Sequence, residues 1–523
     1  MKKFFAFIVS TLLAGLIGCG ASYNWEPCCR SVDATLTERT APVGNPTSLQ
    51  DALAVAQTRR EGIIKPSRDS ILALVQEREA QTVDMNRFSS SVDRADSISS
   101  QEAIYDFGIL SDIIRQIYGA YTYFGGDTVF LPIFEQIVNT LAEREYWDVS
   151  EFSELIFNSL NDVINDNHVM VDERQMGNSY IFLIPNGHAS IFDRSENGFR
   201  NRHTGLYVED VLFEGVSLTH ELETILRLSM NSNGEFYHSF VIVRPEDVVV
   251  PTPLTVIYED GYHENIPLSP MPPLERMDFE NVSLKCNQGF PVVTIRQMGF
   301  PDTRHGAHRD DARRFLAYAE ELRNEPVIIV DIRSNPGGNG LLPTRWLHIL
   351  LGEIVPGNHW VLEGVTYNDF ISRIRNQPWR NPFNNTYGNV RTYTTPEPLG
   401  DHHTLMRTQP DRIVSNTPLL ILLTDRGSAS ASENFADMAF NLDNALVIGQ
   451  NTGGSLHTNM TYMRRYLPNS GIPFGLGRGM HIHPSGHLQE GIGIFPDVWV
   501  DGDALEAAVA MLNSHFYWSE AVD

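Results

Sequence analysis

Lysine is scarce in this chain of 523 residues, which has 39 Lys and Arg together against 65 Asp and Glu. The four lysines are Lys2, Lys3, Lys65 and Lys285. The formal net charge of −26 argues against nucleic acid or an anionic membrane surface as a partner of the folded body, because both would repel it.

Cysteine is also rare, with four in the chain. Cys28 and Cys29 are adjacent and cannot readily bridge each other, and Cys286 is isolated in the sequence. This pattern predicts neither a disulfide framework nor a zinc site. A bridge from Cys28 or Cys29 to Cys286 in an oxidising compartment is the weaker alternative.

The N-terminus has the composition of a targeting segment. Lys2 and Lys3 precede an apolar run from Phe4 to Ile17, which is too short for a good transmembrane helix. The rest of the chain is globular in composition, at 42% hydrophobic with 39 Gly and 29 Pro, so it can bury a sizeable core.

Changes in the pattern of apolar and polar residues along the chain predict how it divides into structural units. Apolar residues recur at intervals of three and four from Leu110 to Ile164, which indicates helices, whereas short strands and turns follow. From Val292 onward strand and helix patterns alternate, which predicts an α/β layer fold. Residues 355–415, which are rich in Asn, Arg and Pro, interrupt this alternation. We expect this segment to lie on the surface or to line the site. The predicted units are a signal segment (1–18), a tether with some helix (19–100), a helical domain (101–175), a mostly β insert (176–275) and an α/β core (276–523).

A serine-rich junction offers a candidate nucleophile. The apolar run from Leu419 to Leu423 is typical of a strand buried on both faces, and the sequence GSASASE then leads into an amphipathic helix. Free amides and the positive end of the helix dipole would stabilise an oxyanion beside Ser430. A capping box of Ser430 with Glu433 is the alternative, and it needs no chemistry.

A second polar turn follows another buried strand. The sequence VIIVDIRSNPGGNG places Asp331, Arg333 and Asn335 after a strand and continues with Gly337 and Gly338. Glycines let the backbone approach a substrate closely and present its amides. A plain strand-to-helix turn is the simpler interpretation.

Together these motifs carry a resemblance. DIRSNPGG, GSASASE, VIGQNTGG, LPNSG and EGIGIFPD resemble the serine peptidase family of the C-terminal processing proteases and the tricorn core protease. The resemblance implies a core of layered β-α repeats of the crotonase or ClpP type and no cofactor. It also implies that Ser430 is the nucleophile and that amides of Gly337, Gly338 and Ala431 form the oxyanion hole.

The general base distinguishes the branches of that family. The processing proteases use a lysine about 25 residues beyond the serine, but no lysine follows Ser430 here, and the residue at that spacing is Ser455. The chain is therefore more similar to the tricorn-like branch. That resemblance implies His168 as the base and Glu490 as the carboxylate that orients it, with Asn167 as a departure at the position before the histidine.

Each of these residues has another interpretation. His168 could cap the end of a helix, and Glu490 could be an exposed loop acid. The run His481, His483 and His487 has ligand-like spacing, but it lies in a Pro- and Gly-containing loop, where histidines usually line a cleft, so no metal site is predicted.

Two further resemblances concern location and recognition. Leu16 to Cys19 resemble the lipobox of bacterial lipoproteins, which implies removal of the signal and acylation of Cys19; an ordinary secretory signal is the alternative. GLYVEDVLFEG faintly resembles a PDZ segment, although Glu209 replaces a glycine, and a structural insert is the favoured interpretation.

The sequence thus predicts a lipid-anchored peptidase of the bacterial cell envelope that cleaves peptides or proteins through an acyl-enzyme. An inactive peptidase-like protein that binds peptides or cell-wall components is the alternative. A metal-dependent hydrolase built on the late histidines is a third, weaker one.

Overall fold

The computed structural model describes most of the chain. The described residues are 46, 48–62, 92–186, 191–246, 253–272, 280–299, 307–364, 395–399, 403–407, 413–459, 465–477, 479–483 and 488–515. The signal segment with Cys19, the residues Cys28 and Cys29, and His487 lie outside them.

Nine α-helices are found in these residues. They are α1 (Leu49–Glu61), α2 (Ser100–Ile117), α3 (Gly126–Leu141), α4 (Val149–Asn161), α5 (Leu222–Ile225), α6 (Ala307–Glu321), α7 (Leu341–Leu351), α8 (Ala431–Ala439) and α9 (Ala504–His515). Helices α1 and α2 each begin with a capping box, formed by Ser48 with Asp51 and by Ser99 with Glu102. None of the described helices is long and apolar enough to span a membrane.

The strands of the first half of the chain are short. They are β1 (Ser97–Ser99), β2 (Tyr146–Asp148), β3 (Asp166–Val171), β4 (Arg174–Met176), β5 (Tyr180–Pro185), β6 (Phe192–Ser195), β7 (Gly198–Asn201), β8 (Val208–Phe213), β9 (Val216–Ser217), β10 (Leu226–Met230), β11 (Phe236–Phe240), β12 (Ile242–Pro245), β13 (Leu254–Tyr258), β14 (His263–Ile266) and β15 (Leu268–Pro270).

The strands of the second half include the buried apolar runs. They are β16 (Val282–Asn287), β17 (Phe290–Ile295), β18 (Val327–Asp331), β19 (Trp360–Gly364), β20 (Thr395–Leu399), β21 (His403–Arg407), β22 (Leu419–Thr424), β23 (Ala445–Gly449), β24 (Thr458–Asn459), β25 (Arg465–Tyr466), β26 (Pro473–Gly475), β27 (Gly479–Ile482), β28 (Leu488–Gln489), β29 (Gly493–Ile494) and β30 (Val498–Trp499).

The core is a parallel sheet between two layers of helices. Strands β17, β18, β22, β23 and β30 pair in parallel in that order. Ile328, Val330 and Leu422 pack on the side of α6, α7 and α8, whereas Ile329 and Leu423 pack on the side of α1 and α9. Burial on both faces explains why these strands are uninterrupted apolar runs. The predicted α/β layering of the core is observed.

The helical domain packs against strands from far along the chain. Helices α2, α3 and α4 share one apolar core with β3 and with residues of β26 and β27, among them Phe474 and Met480. Strand β26 pairs with β3, Phe474 opposite Val171. The C-terminal part of the chain thus fixes β3, the strand that carries His168, against the helical domain.

The β-rich insert is continuous with the core and not separate from it. Its strands β10, β11, β6 and β7 extend the core sheet to ten strands in the order β16-β17-β18-β22-β23-β30-β10-β11-β6-β7. The junction is a parallel pairing of Ser229 with Trp499. A four-stranded sheet, β14-β13-β8-β9, holds the segment that faintly resembles a PDZ domain. The mostly β insert predicted for residues 176–275 therefore shares its main sheet with the core.

The described parts of the segment 355–415 include three strands, β19, β20 and β21. Strand β19 pairs with β21 on one side and with β27 on the other, and β20 extends the sheet. Because β27 contains His481, these strands lie beside the late histidines. Cys286 is exposed and has a free thiol.

Candidate active site

Ser430 stands at the turn between β22 and α8. All six residues of β22 are buried, and the chain reverses direction before the helix starts at Ala431. Ser430 has φ 55° and ψ −111°, a conformation that L-residues rarely adopt. Such strain persists where surrounding contacts over-determine it, and it concentrates at functional sites.

The structure distinguishes the three serines of this junction. Ser428 donates its hydroxyl to the carbonyl of Ile332 at 2.8 Å, and Ser432 donates to the carbonyl of Asn335 at 2.9 Å. Both are fully buried. The Ser430 Oγ, in contrast, lies 3.0 Å from Nε2 of His168. Ser430 is therefore the serine placed for chemistry.

Gly337 allows the two polar turns to touch. A Cβ at this position would lie 2.8 Å from the Ala431 amide nitrogen and 2.9 Å from the Ser430 Cβ, closer than real Cβ contacts. Its φ of 97° is also in the left-handed region that favours glycine. A side chain here would push Ser430 out of place.

Of the three amides expected to form an oxyanion hole, the Gly337 amide already has an acceptor within the protein. The Gly337 amide donates to the Asn335 Oδ1 at 2.9 Å, so Gly337 contributes space and not a donor. The amides of Gly338 and Ala431 form no hydrogen bond with another described residue. Two unoccupied donors beside a nucleophile are the arrangement that stabilises a tetrahedral oxyanion.

Glu433 holds this turn together from within. Its carboxylate accepts hydrogen bonds from the amides of Ser430 (2.7 Å), Gly454 (2.8 Å) and Ser455 (2.8 Å) and from the Thr452 hydroxyl (2.6 Å). Burial raises the pKa of Glu433, and these donors oppose that rise. The Ser430 and Glu433 pair is thus the capping interaction expected from the sequence, and it coexists with a serine placed for chemistry.

His168 lies on β3, after a turn that follows the end of α4, and is 6% exposed. Its amide donates to the Asp166 Oδ1 at 2.9 Å. Burial lowers the pKa of His168, and the Asp166 carboxylate opposes that effect. The imidazole is therefore neutral at pH 7 and can accept a proton from Ser430.

Glu490 does not meet the histidine ring. Its carboxylate accepts hydrogen bonds from three backbone amides, those of Asn167 (2.7 Å), Leu456 (2.6 Å) and His457 (2.7 Å). The Nδ1 of His168 is buried and forms no hydrogen bond with another residue that the structure describes. Glu490 was expected to orient the His168 ring, but it forms no hydrogen bond with that ring. Its carboxylate oxygens accept from backbone amides instead. Glu490 is 2% exposed, so it is not an exposed loop acid either.

Asp166 is the carboxylate that the sequence analysis missed. Its Oδ1 lies 3.9 Å from the Nδ1 of His168, and its Oδ2 accepts from the hydroxyls of Tyr118 (2.9 Å) and Thr458 (2.8 Å). The signal was available, because residues two apart on a strand point to the same face. Burial raises the pKa of Glu490 well above its usual range, and Asp166 adds to this rise.

Two of the late histidines, His481 and His483, form a group with His359. The His359 ring stacks on His481 at 4.6 Å between centroids, and its Nδ1 lies 2.8 Å from the Asp437 Oδ2. Burial lowers the pKa of His483 to about 3 and that of His481 well below its usual value, so both are neutral. Within the described ranges, no group of three or more His, Cys, Asp or Glu is arranged to hold a metal ion.

Comparison with protein families gives one match. Residues 366–500 match the model of peptidase family S41, a stretch that includes Ser430 and Glu490 but not His168. A comparison with curated proteins finds no match.

The solved structures that this chain matches are distant in sequence. Mature CPAF is 14% identical, with 80% of this chain and 99% of that chain covered at a TM-score of 0.42. A lipoprotein from Streptococcus agalactiae is 14% identical, with coverage of 79% and 96% and a TM-score of 0.38. The photosystem II D1 C-terminal processing protease is 14% identical, with coverage of 77% and 93% and a TM-score of 0.33.

Proposed function

We propose that this chain is a serine-type peptidase of family S41, whose model matches residues 366–500, and that it hydrolyses peptide bonds with Ser430 as nucleophile and His168 as general base. The observation that carries the proposal is the 3.0 Å contact between the Ser430 Oγ and the His168 Nε2. A hydroxyl and a neutral imidazole within hydrogen-bond reach are what nucleophilic catalysis by serine requires.

The reaction would proceed in two steps. The Ser430 Oγ attacks the scissile carbonyl while the His168 Nε2 takes its proton, and the imidazolium then protonates the leaving amine. Water next attacks the acyl-enzyme, again with His168 as the base, and releases the second product and the free serine. The negative charge on the carbonyl oxygen would be stabilised by the amides of Gly338 and Ala431.

Glu490 and Asp166, both buried, would together perform the role of the acid in a catalytic triad. Glu490 would position His168 through the Asn167 amide, at 2.7 Å. Asp166 would supply negative charge to the imidazolium, because it lies 3.9 Å from the Nδ1 and its effect raises the pKa of His168. Contacts of this kind are often long without substrate and shorten when the transition state forms.

The decisive experiment is labelling with a fluorophosphonate, which reacts with activated serines. The wild-type protein is expected to be labelled, and Ser430→Ala is expected to lose both label and peptide hydrolysis. Ser432→Ala is the matched control, because this neighbour is fully buried and bonded to a carbonyl; it should keep both. Labelling that survives in Ser430→Ala would refute this nucleophile, and an unlabelled, inactive wild type would favour a peptide-binding protein without catalysis.

The location and finer architecture are also part of the proposal. We assign the chain to the bacterial cell envelope, anchored through an acylated Cys19 after removal of residues 1–18. The alternation of core-sheet residues between two helical layers supports a crotonase- or ClpP-like arrangement of β-α repeats. The sheet that holds β8 is the candidate for a degenerate PDZ-like unit, with Glu209 exposed on β8.

A further inference from the structure

A cavity of about 520 Å³ lies away from the proposed catalytic residues. It is bounded by α1, by strands β6 and β10 of the β-rich insert, and by the segment from Phe495 to Trp499. Neither Ser430 nor His168 lines it. Its apolar walls include Val55, Leu226, Leu228 and Trp499.

Arg227 brings an unpaired positive charge to this cavity. The side chain is partly buried, and its Nε is shielded from solvent without a hydrogen-bond partner. The guanidinium lies over the Phe495 ring, 3.9 Å from the centroid. Burial lowers the pKa of Arg227 to about 9, and the like charge of Arg59 adds to this effect. No described carboxylate forms an ion pair with Arg227.

The acidic residues that line the cavity form ion pairs with other arginines or form no ion pair with Arg227. Glu223 pairs with Arg194, and Asp497 pairs with Arg60 at 2.8 Å and with Arg59 at 3.7 Å. The remaining lining acid is Glu196, which is exposed and forms no ion pair with Arg227. A guanidinium withdrawn from water without a partner is costly, whereas one that meets an anion is stabilising.

Trp499 adds a second unpaired donor to the same walls. It is 3% exposed, and its Nε1 is buried without an acceptor. Buried donors nearly always have a partner, so two unpaired donors on residues that line one cavity favour a ligand with acceptor oxygens. The apolar walls require that this ligand also carry a hydrophobic body.

We infer that the cavity bounded by Arg227 and Trp499 binds an organic carboxylate with an apolar body. The planar guanidinium suits a carboxylate because it can donate two parallel hydrogen bonds. Phe495 covers one face of the guanidinium, so a ligand would approach the guanidinium in its own plane. The site is independent of the proposed peptidase chemistry, and nothing in that reaction requires it.

The test is calorimetric binding of octanoate to the full-length protein, with 1-octanol and inorganic phosphate as comparison ligands. Octanoate is expected to bind more tightly than either, since 1-octanol lacks the charge and phosphate lacks the apolar body. Arg227→Met should weaken octanoate at least about 10-fold, the usual effect of losing a charged hydrogen-bond partner. It should also leave the ligand-free melting temperature unchanged or raised, because an unpaired cation has been removed.

Arg202→Gln is the matched control, because Arg202 belongs to the same insert, is paired with Asp193 and does not line the cavity. It should bind octanoate as the wild type does. The inference is overturned if octanoate fails to bind the wild type, binds Arg227→Met equally well, or binds no more tightly than phosphate. It is also overturned if Arg227→Met melts several degrees lower without ligand, since the arginine would then have its partner within the protein.

Discussion

His168 lies between two buried carboxylates that act on it in different ways. Asp166 faces the Nδ1 of the ring at 3.9 Å, whereas Glu490 bonds to the backbone amides of Asn167, Leu456 and His457. The charge of Asp166 raises the pKa of His168, and Glu490 has no such effect on it. Substitutions of the two acids should therefore change different properties of the enzyme.

The pH dependence of kcat/KM separates these roles. Because the proposed base is the neutral imidazole, the rate should fall as the pH drops through the pKa of His168, which burial places below its usual value. Asp166→Asn removes the charge that raises this pKa, so the acid limb should move to lower pH and kcat should fall about 10²-fold or more. Glu490→Gln should leave the acid limb in place and lower the melting temperature, because an acceptor of three amides is disturbed. An acid limb that moves only in Glu490→Gln would reverse the assignment.

Sequence reasoning could identify the residues of the site better than their contacts. Ser430 was recognisable because a buried run ends in small residues before a helix. That His168 reaches it across 262 residues follows from the packing of β3 against β26, which spacing cannot reveal. Glu490 was assigned the wrong contact because its partners, the amides of Leu456 and His457, come from a loop whose path the sequence does not specify.

At the scale of elements, the site depends on the contact between the turns that follow β18 and β22. Gly337 and Gly352 are both glycines at positive φ, 97° and 76°, so they form a natural comparison. A Cβ on Gly337 would lie within 3 Å of the nucleophile turn, whereas one on Gly352, at the end of α7, would meet nothing within 4 Å. Both substitutions strain the backbone, but only one crowds the site.

Gly337→Ala is expected to reduce kcat/KM at least about 10²-fold, because displacing the nucleophile by an ångström has effects of that size. It should also lower the free energy of unfolding by about 2–4 kcal/mol, the sum of backbone strain and overpacking. Gly352→Ala should lower it by about 1 kcal/mol and keep wild-type turnover. Peptide hydrolysis and denaturant unfolding measure both quantities, and equal loss of activity in the two variants would contradict the role given to Gly337.

The layered core was predictable at this scale, whereas the continuity of the sheet was not. Uninterrupted apolar runs such as β22 indicate burial on both faces, and helices α1 and α8 do cover the sheet from opposite sides. The β-rich insert joins this sheet through the pairing of Ser229 with Trp499. A pairing between residues that far apart leaves no periodic signal in either strand, so this continuity could not be predicted from the sequence.

The net charge of the chain limits the ways in which it could attach to a membrane. The net charge of −26 disfavours electrostatic attraction of the folded chain to anionic lipids. The attachment proposed above would then depend on acyl chains. Since one chain alone binds only marginally, stable attachment through Cys19 requires more than one.

The wild-type protein is therefore expected to sediment with membranes, to resist washing with high salt and to incorporate labelled palmitate. Cys19→Ala should appear in the soluble fraction without label, and its peptide hydrolysis should be unchanged, because the proposed nucleophile and base are distant in sequence from this residue. Cys286→Ala is the control, since Cys286 is exposed and free yet not the predicted acylation site; it should stay with the membrane. Release of the wild type by salt would indicate electrostatic attachment, and label retained in Cys19→Ala would place the lipid on another residue.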